Sequence, residues 1–280
     1  MPTEQALPGE LSGVLWLPDE PPRAAMLVVA GSSGRLDAQR ARVFAEHGAV
    51  AASIRWFGGP GQPPGICEVP LETFTAALDA LCRYEPARLG MMGVSKGAEA
   101  TLLTAVRDDR LDLAVGVSPT SVVWANVGPG RDGVTKPYRS SWTWRGEPLP
   151  FVPYDDSGPD PESPVACRPM YERSIAAHPA EAAAAAIPVE RIRGEIVLLA
   201  GADDEMWQST EFAHQLAARR RAAGGRITVL DSDTAGHRPY LPGEPEPAPS
   251  ETFRYGGDPA ADAALGARAL PHLLAALNLR

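Results

Sequence analysis

Arg88-Leu89-Gly90-Met91-Met92-Gly93-Val94-Ser95-Lys96-Gly97-Ala98-Glu99-Ala100 is the stretch on which the fold turns. Residues 88 to 94, RLGMMGV, read as a strand, and Lys96 to about Val106 reads as a helix. Gly93-Val94-Ser95-Lys96-Gly97 between them matches G-x-S-x-G. That pentapeptide has mechanical meaning only at a strand-to-helix turn. The turn is sharp, so small residues must flank the serine, and the serine hydroxyl is lifted above the sheet. The N–H of Lys96 then opens the helix, where it can face a developing negative charge. Ser95 is therefore the candidate nucleophile. The competing reading is an ordinary turn serine that precedes a helix.

Outward from this turn the chain alternates strand and helix. Upstream, residues 25 to 30 (AMLVVA) are a buried strand ending at Gly31, residues 36 to 47 look helical, and residues 49 to 56 are strand-like. Pro70 opens a helix with Leu71, Phe74, Leu78, Leu81 and Cys82 on its apolar face. Downstream come strand 111 to 117, strand 195 to 200, helix 209 to 223, strand 226 to 231 and a terminal helix near 259 to 278. The pattern predicts an α/β protein: a mostly parallel central sheet with helices on both faces. One domain over residues 1–280 is expected, with 119–186 inserted as a cap or lid. The Pro-rich stretch 239 to 249 reads as an ordered surface excursion.

Composition removes several function classes. The chain of 280 residues carries 26 Lys and Arg against 35 Asp and Glu, a net charge of −9. Phosphate binding needs basic patches, so no nucleic-acid partner is expected. Arg219-Arg220-Arg221 is the densest basic run and reads as a solvated helix end. No stretch approaches the ~20 apolar residues that span a bilayer. The N-terminal residues lack the basic and apolar regions of a signal peptide, which makes the cytoplasm the expected location. Cys67, Cys82 and Cys167 are scattered, which argues against a disulfide framework and a zinc site. Neither metal nor organic cofactor is expected. Gly128 to Gly133 satisfies GxGxxG but follows no strand, and Pro137 interrupts any helix after it, so it is no dinucleotide site.

A serine nucleophile needs a base, and the base needs an orienting acid. In α/β-hydrolases these follow in the order Ser, acid, His. Strand 195 to 200 runs into Gly201-Ala202-Asp203-Asp204-Glu205, and strand 226 to 231 runs into Asp233-Thr234-Ala235-Gly236-His237. Both segments lie at C-terminal strand ends, where open α/β sheets gather their ligand chemistry. His237 is the candidate base; His47, His178, His214 and His272 lie on helices or in an irregular region. Asp204 is the candidate acid from its G-x-x-D spacing, with Asp203 as the alternative and Glu205 solvated. A second oxyanion donor is expected in Gly31-Ser32-Ser33-Gly34, with the Ser32 N–H first and Ser33 next. A plain Gly-rich turn is the competing reading. The loop is not of the Walker A type, because no Gly-Lys-Ser/Thr follows.

Residues 119 to 165 break the alternation and hold Trp124, Trp142 and Trp144, three of the six tryptophans. A loop of this length is usually functional. The expectation is an apolar lid on which these tryptophans bind an acyl chain. The alternative is aromatic glue that fastens a long excursion to the domain. Trp207 either packs near the site or belongs to the core. Lys96 and Glu99, three apart on a helix, read as a surface pair rather than a phosphate contact.

GVSKGAEA at 93–100, WANVG at 124–128, IPVERIRGEIVLLAGADDEMWQS at 187–209 and AGHRPYLP at 235–242 together resemble the C-terminal catalytic region of the acyl-CoA thioester hydrolases and bile acid-CoA:amino acid N-acyltransferases. RWFGG at 55–59 and PLETFTAALDAL at 70–81 extend the resemblance over nearly the whole chain. It implies an α/β-hydrolase fold, dienelactone hydrolase-like, with Ser95 as nucleophile, His237 as base and Asp204 as acid. Long family members carry an N-terminal β-sandwich domain; this chain, starting almost at the hydrolase core, is expected to lack it. The implied activity is hydrolysis of an acyl thioester, the acyl group being carried by coenzyme A or by an acyl carrier protein. Ser95 matches the hydrolytic branch, since the transferases of the family look to use cysteine. The alternatives are an acyltransferase of the family, a carboxylesterase or dienelactone-type hydrolase, and a non-catalytic binder of the same fold.

Overall fold

Apolar residues run almost without interruption along strands whose two faces are both covered, and the computed structural model shows what covers them. It describes residues 1–7, 11–159 and 162–280. Eight strands form the central sheet: β1 (Thr3–Ala6), β2 (Gly13–Leu17), β3 (Ala24–Val29), β4 (Ala49–Ile54), β5 (Arg88–Val94), β6 (Leu113–Val117), β7 (Glu195–Gly201) and β8 (Ile227–Ser232). Their spatial order is β1-β2-β4-β3-β5-β6-β7-β8. The pairs β1/β2 and β2/β4 are antiparallel and all others parallel.

Seven α-helices accompany the sheet among the described residues: α1 (Ala38–Glu46), α2 (Glu72–Cys82), α3 (Lys96–Ala105), α4 (Arg168–Ala177), α5 (Pro179–Ala184), α6 (Ser209–Ala222) and α7 (Pro259–Ala276). The two-residue period of the strands divides their side chains between two cores. Ala25, Leu27 and Val29 of β3 pack with α2, α3 and α6. Ala24, Met26 and Val28 pack with α1 and α7. No helix among the described residues is long and apolar enough to cross a membrane.

Several expectations are corrected. Strands β1 and β2 carry no expected counterpart; they are the short antiparallel edge of the sheet. Pro70 does not open α2: Val69–Pro70 pairs with Trp142–Trp144, which pairs in turn with Glu147–Pro148, and the helix begins at Glu72. Arg220 is buried rather than solvated, and its guanidinium donates to the Gly194 carbonyl at 3.0 Å. Residues 239 to 249, by contrast, agree with the expected ordered excursion: they are irregular and anchored, because Arg40 of α1 makes a two-pronged contact with Glu244 at 2.7 and 2.9 Å.

Segment 119–186 lies between β6 and β7. Trp124 and Trp142 are fully buried in the same core as α2 and α3. Trp142 packs against Trp56 and Phe74 with ring centroids 5.3 and 5.9 Å apart. Trp124 packs against Tyr171, Tyr154 and Phe212. Their burial contradicts the expected acyl-binding role of Trp124 and Trp142, since neither ring has a surface to offer a ligand. Trp144 is only partly buried, yet it lies against Arg107, just past the far end of α3. A ten-residue helix, roughly 15 Å, separates that position from Ser95. The aromatics of this segment act as glue.

Candidate active site

Ser95 occupies the turn between β5 and α3 with φ 56° and ψ −120°. A non-glycine residue held there costs about 1–3 kcal/mol, so its surroundings must over-determine it. They do. The Ser95 N–H donates to the Val117 carbonyl at 2.9 Å, and the Ser95 carbonyl accepts from Ala98 and Glu99 at 2.9 and 3.2 Å. A Cβ at Gly93 would stand 2.0 Å from the Gly97 carbonyl oxygen, and one at Gly97 would stand 2.6 Å from that of Ala30. Both flanking glycines of G-x-S-x-G are thus steric requirements of this turn.

The loop after β3 runs beside the serine. A Cβ at Gly31 would lie 3.1 Å from Ser95 Cβ and 3.8 Å from its Oγ. Ser32 follows, exposed, while Lys96 opens α3. Neither the Ser32 N–H nor the Lys96 N–H donates to another described protein group, so both remain available to a ligand.

His237 and Asp204 meet on the loops that follow β8 and β7. Both are buried, and His237 Nδ1 lies 2.8 Å from Asp204 Oδ2. Asp204 Oδ1 accepts from the backbone N–H groups of Met206 and Trp207 at 2.8 and 3.2 Å. A carboxylate against Nδ1 puts the ring proton there and leaves Nε2 as the basic nitrogen. Asp203, the alternative acid, instead accepts from the Gly257 N–H at 3.0 Å and does not reach His237. No hydrogen bond joins Ser95 Oγ to the His237 ring, and such bonds often tighten only around substrate. Lys96 and Glu99 depart from the expected surface pair: they are 1% and 0% exposed, with Nζ 2.7 Å from Oε2.

Four further residues shape the site. Ser118, directly after β6, bridges the two halves: the Val117 carbonyl before it holds Ser95, and its own Oγ donates to the His237 carbonyl at 2.9 Å. Trp207 packs edge-on to the His237 ring at 5.5 Å, and its indole N–H donates to the Ser118 carbonyl. Tyr255 stacks on the His237 ring at 5.9 Å and 20°, with its carbonyl accepting the His237 backbone N–H. Asp262 of α7 accepts from the Gly236 N–H at 2.8 Å. Only Trp207 carries a sequence signal, its closeness to Asp204. Ser118, Tyr255 and Asp262 reach the site through strand order and loop packing.

A serine above the C-terminal edge of a mostly parallel sheet, with an acid and a histidine on the loops after two later strands, defines an α/β-hydrolase fold. The chain belongs to the BAAT / acyl-CoA thioester hydrolase C-terminal family, which matches residues 69–269. Over 93% of its length it is 26% identical to acyl-coenzyme A amino acid N-acyltransferase 2 of Rattus norvegicus, covering 61% of that protein. Over 76% of its length it is 27% identical to acyl-coenzyme A thioesterase 6 of Mus musculus, covering 48% of that protein. The chain thus spans about half to three-fifths of the length of these relatives. A dienelactone hydrolase-like promiscuous phosphotriesterase from metagenomic libraries shares the fold with a TM-score of 0.58 and 17% identity, over 99% of this chain and 98% of that one. A lipase in its open form does so with a TM-score of 0.60 and 11% identity, over 99% of this chain and all of that one.

Proposed function

We propose that the protein is a serine hydrolase that cleaves acyl thioesters, with Ser95 as nucleophile, His237 as base and Asp204 as acid. The single observation that carries this reading is the buried His237–Asp204 pair at the sheet edge that also holds the strained Ser95 turn. His237 Nε2 takes the Ser95 proton as Oγ attacks the acyl carbonyl. The N–H groups of Lys96 and Ser32 receive the oxyanion. The protonated imidazole then passes its proton to the leaving thiolate. Water, deprotonated by the same nitrogen, releases the acid and regenerates Ser95.

The family and the named acyl-coenzyme A thioesterase and acyltransferase relatives support a coenzyme A thioester as substrate. Serine favours water over an amine as the second nucleophile, because an acyl-serine is an oxyester and less reactive than a cysteine thioester. With Trp124 and Trp142 inside the core, the acyl chain must lie elsewhere; the half-buried Tyr255 ring against His237 supplies an apolar wall beside the reacting groups.

The test is a panel of acyl-CoA thioesters and matching p-nitrophenyl esters, with intact-protein mass to capture the acyl-enzyme. Thioester turnover with an acyl adduct on Ser95 is expected. Turnover of esters alone would replace the thioesterase by a carboxylesterase of dienelactone type. Ser95→Ala should lower turnover by roughly 10⁴-fold or more. A variant with near-native turnover would remove Ser95 from the reaction.

A further inference from the structure

Lys96 contributes a backbone N–H to the proposed oxyanion site, but its side chain turns inward. Nζ is held by Glu99 Oε2 at 2.7 Å and lies 5.6 Å from the centre of the Trp142 ring. Glu99 Oε1 accepts twice more, from the Trp124 N–H at 3.0 Å and the Trp142 indole N–H at 2.7 Å. All ten residues of α3 are buried, so both charges sit entirely inside the protein. Burial works against each of them, raising the Glu99 carboxyl and lowering the Lys96 ammonium from their ordinary values. A buried ion pair is a poor source of stability, because well-packed apolar residues usually do as well. Its position under the nucleophile points to a different use.

The peptide between Ser95 and Lys96 is the one whose N–H would meet the oxyanion. Two torsions set its orientation: ψ of Ser95, which is strained, and φ of Lys96. A Lys96 side chain free to move would let that peptide rotate, relaxing the serine and turning the N–H away. A side chain pinned at its far end and closely packed along its length narrows the Cα–Cβ directions open to Lys96 and so limits φ.

We infer that Glu99 is a positioning residue: by pinning the buried Lys96 side chain, with Trp124 and Trp142 holding Glu99 in turn, it locks the Ser95–Lys96 peptide with its N–H aimed at the oxyanion. The inference rests on the proposed role of Ser95. It also gives segment 119–186 a part in the reaction that is not contact with substrate. The indole of Trp142 and the backbone of Trp124 complete the cradle of the carboxylate that sets the turn.

The test compares wild type, Ser95→Ala, the double variant Lys96→Met/Glu99→Gln and Trp142→Phe on a p-nitrophenyl ester, with affinity for an alkylboronic acid as a second readout. A boronate bound to serine carries the tetrahedral, negatively charged geometry that the N–H groups must stabilise. The double variant should lose 10- to 100-fold in kcat with KM within about twofold, and boronate affinity should fall by a similar factor. Trp142→Phe keeps an aromatic ring, though a smaller one, and removes one donor to Glu99; it should lose a few-fold in the same direction. It also serves as the test if the double variant does not fold. Loss of kcat with unchanged boronate affinity, or native kcat in the folded double variant or in Trp142→Phe, overturns the inference. An active Ser95→Ala would overturn the proposed nucleophile itself. An inactive Ser95→Ala beside an unaffected double variant would overturn the positioning role alone.

Discussion

Asp204 and Glu99 share one bonding pattern in two places. Asp204, 1% exposed at the end of β7, gives one oxygen to a side chain, His237 Nδ1, and the other to two N–H donors, Met206 and Trp207. Glu99, 0% exposed inside α3, gives one oxygen to Lys96 Nζ and the other to the N–H of Trp124 and the indole of Trp142. The two differ in what the side-chain partner can do next. An imidazole bound through Nδ1 keeps a second nitrogen that can accept a proton. An ammonium has donors only, so Lys96 can be held but cannot serve as a base while charged. Under the proposed mechanism, the same carboxylate cradle would serve proton transfer on the loop and geometry in the helix.

The largest expected effect separates these roles by activity. Asp204→Asn preserves size but sets an amide against the imidazole and favours the wrong tautomer, so kcat should fall roughly 10⁴-fold with the fold intact. Asp203→Asn touches only the exposed tie to Gly257 and should retain most activity. Steady-state kinetics on both variants checks this. A dead Asp203→Asn beside an active Asp204→Asn would exchange the two aspartates and break the comparison.

Stability should rank the two cradles the other way. Glu99→Gln strands the Lys96 ammonium without a counter-charge, at a cost of about 3 kcal/mol or more. Asp204→Asn leaves an imidazole that can remain neutral, and should cost less. Urea unfolding of both variants makes the measurement. Adding Lys96→Met to Glu99→Gln should restore most of the loss, because the stranded charge goes with it. Equal losses in Asp204→Asn and Glu99→Gln would mean that neither partner's charge matters inside the fold.

These two cradles also mark where sequence reading works and where it stops. The strand over 88–94 and the helix starting at Lys96 agree with β5 and α3 to within a residue, because a sharp turn between flat elements demands small residues at fixed spacing. Asp204 and His237 were legible for a related reason: a parallel sheet brings its C-terminal strand ends together, so residues just past two strands become neighbours. Burial of Lys96 and Glu99 was not legible. Their i, i+3 spacing is that of a solvated pair, and α3 lacks an exposed face because β3, β5, β6, α2 and segment 119–186 pack around it. The tryptophan excess between 119 and 165 signals burial without saying against what. Here the partner is Glu99 and the core. Strands β1 and β2 were missed because both are short and β1, at the sheet edge, is exposed throughout.

A third carboxylate gives the smallest and most delicate test. Asp262 is 7% exposed and, among the described residues, accepts a single backbone N–H, that of Gly236, with no cation in direct contact. Burial, the dominant influence, raises its carboxyl above the ordinary value, against the pull of that N–H and the charge of Arg238. The folded state therefore holds the Asp262 proton more tightly than the unfolded chain does. Stability conferred by that proton grows as pH falls from the raised folded value towards the unfolded one and is withdrawn as pH rises again. Asp262→Asn keeps an oxygen for the Gly236 N–H but has no charge to bury. It should be more stable than wild type at neutral pH, by about 1 kcal/mol or less. That advantage should shrink to nothing as pH falls below the ordinary carboxyl range. Urea midpoints of the two proteins across that range read the difference directly. A variant that is less stable at neutral pH would show that a lone N–H donor suffices for a buried carboxylate here, and that the fuller cradles of Asp204 and Glu99 exceed what burial alone requires.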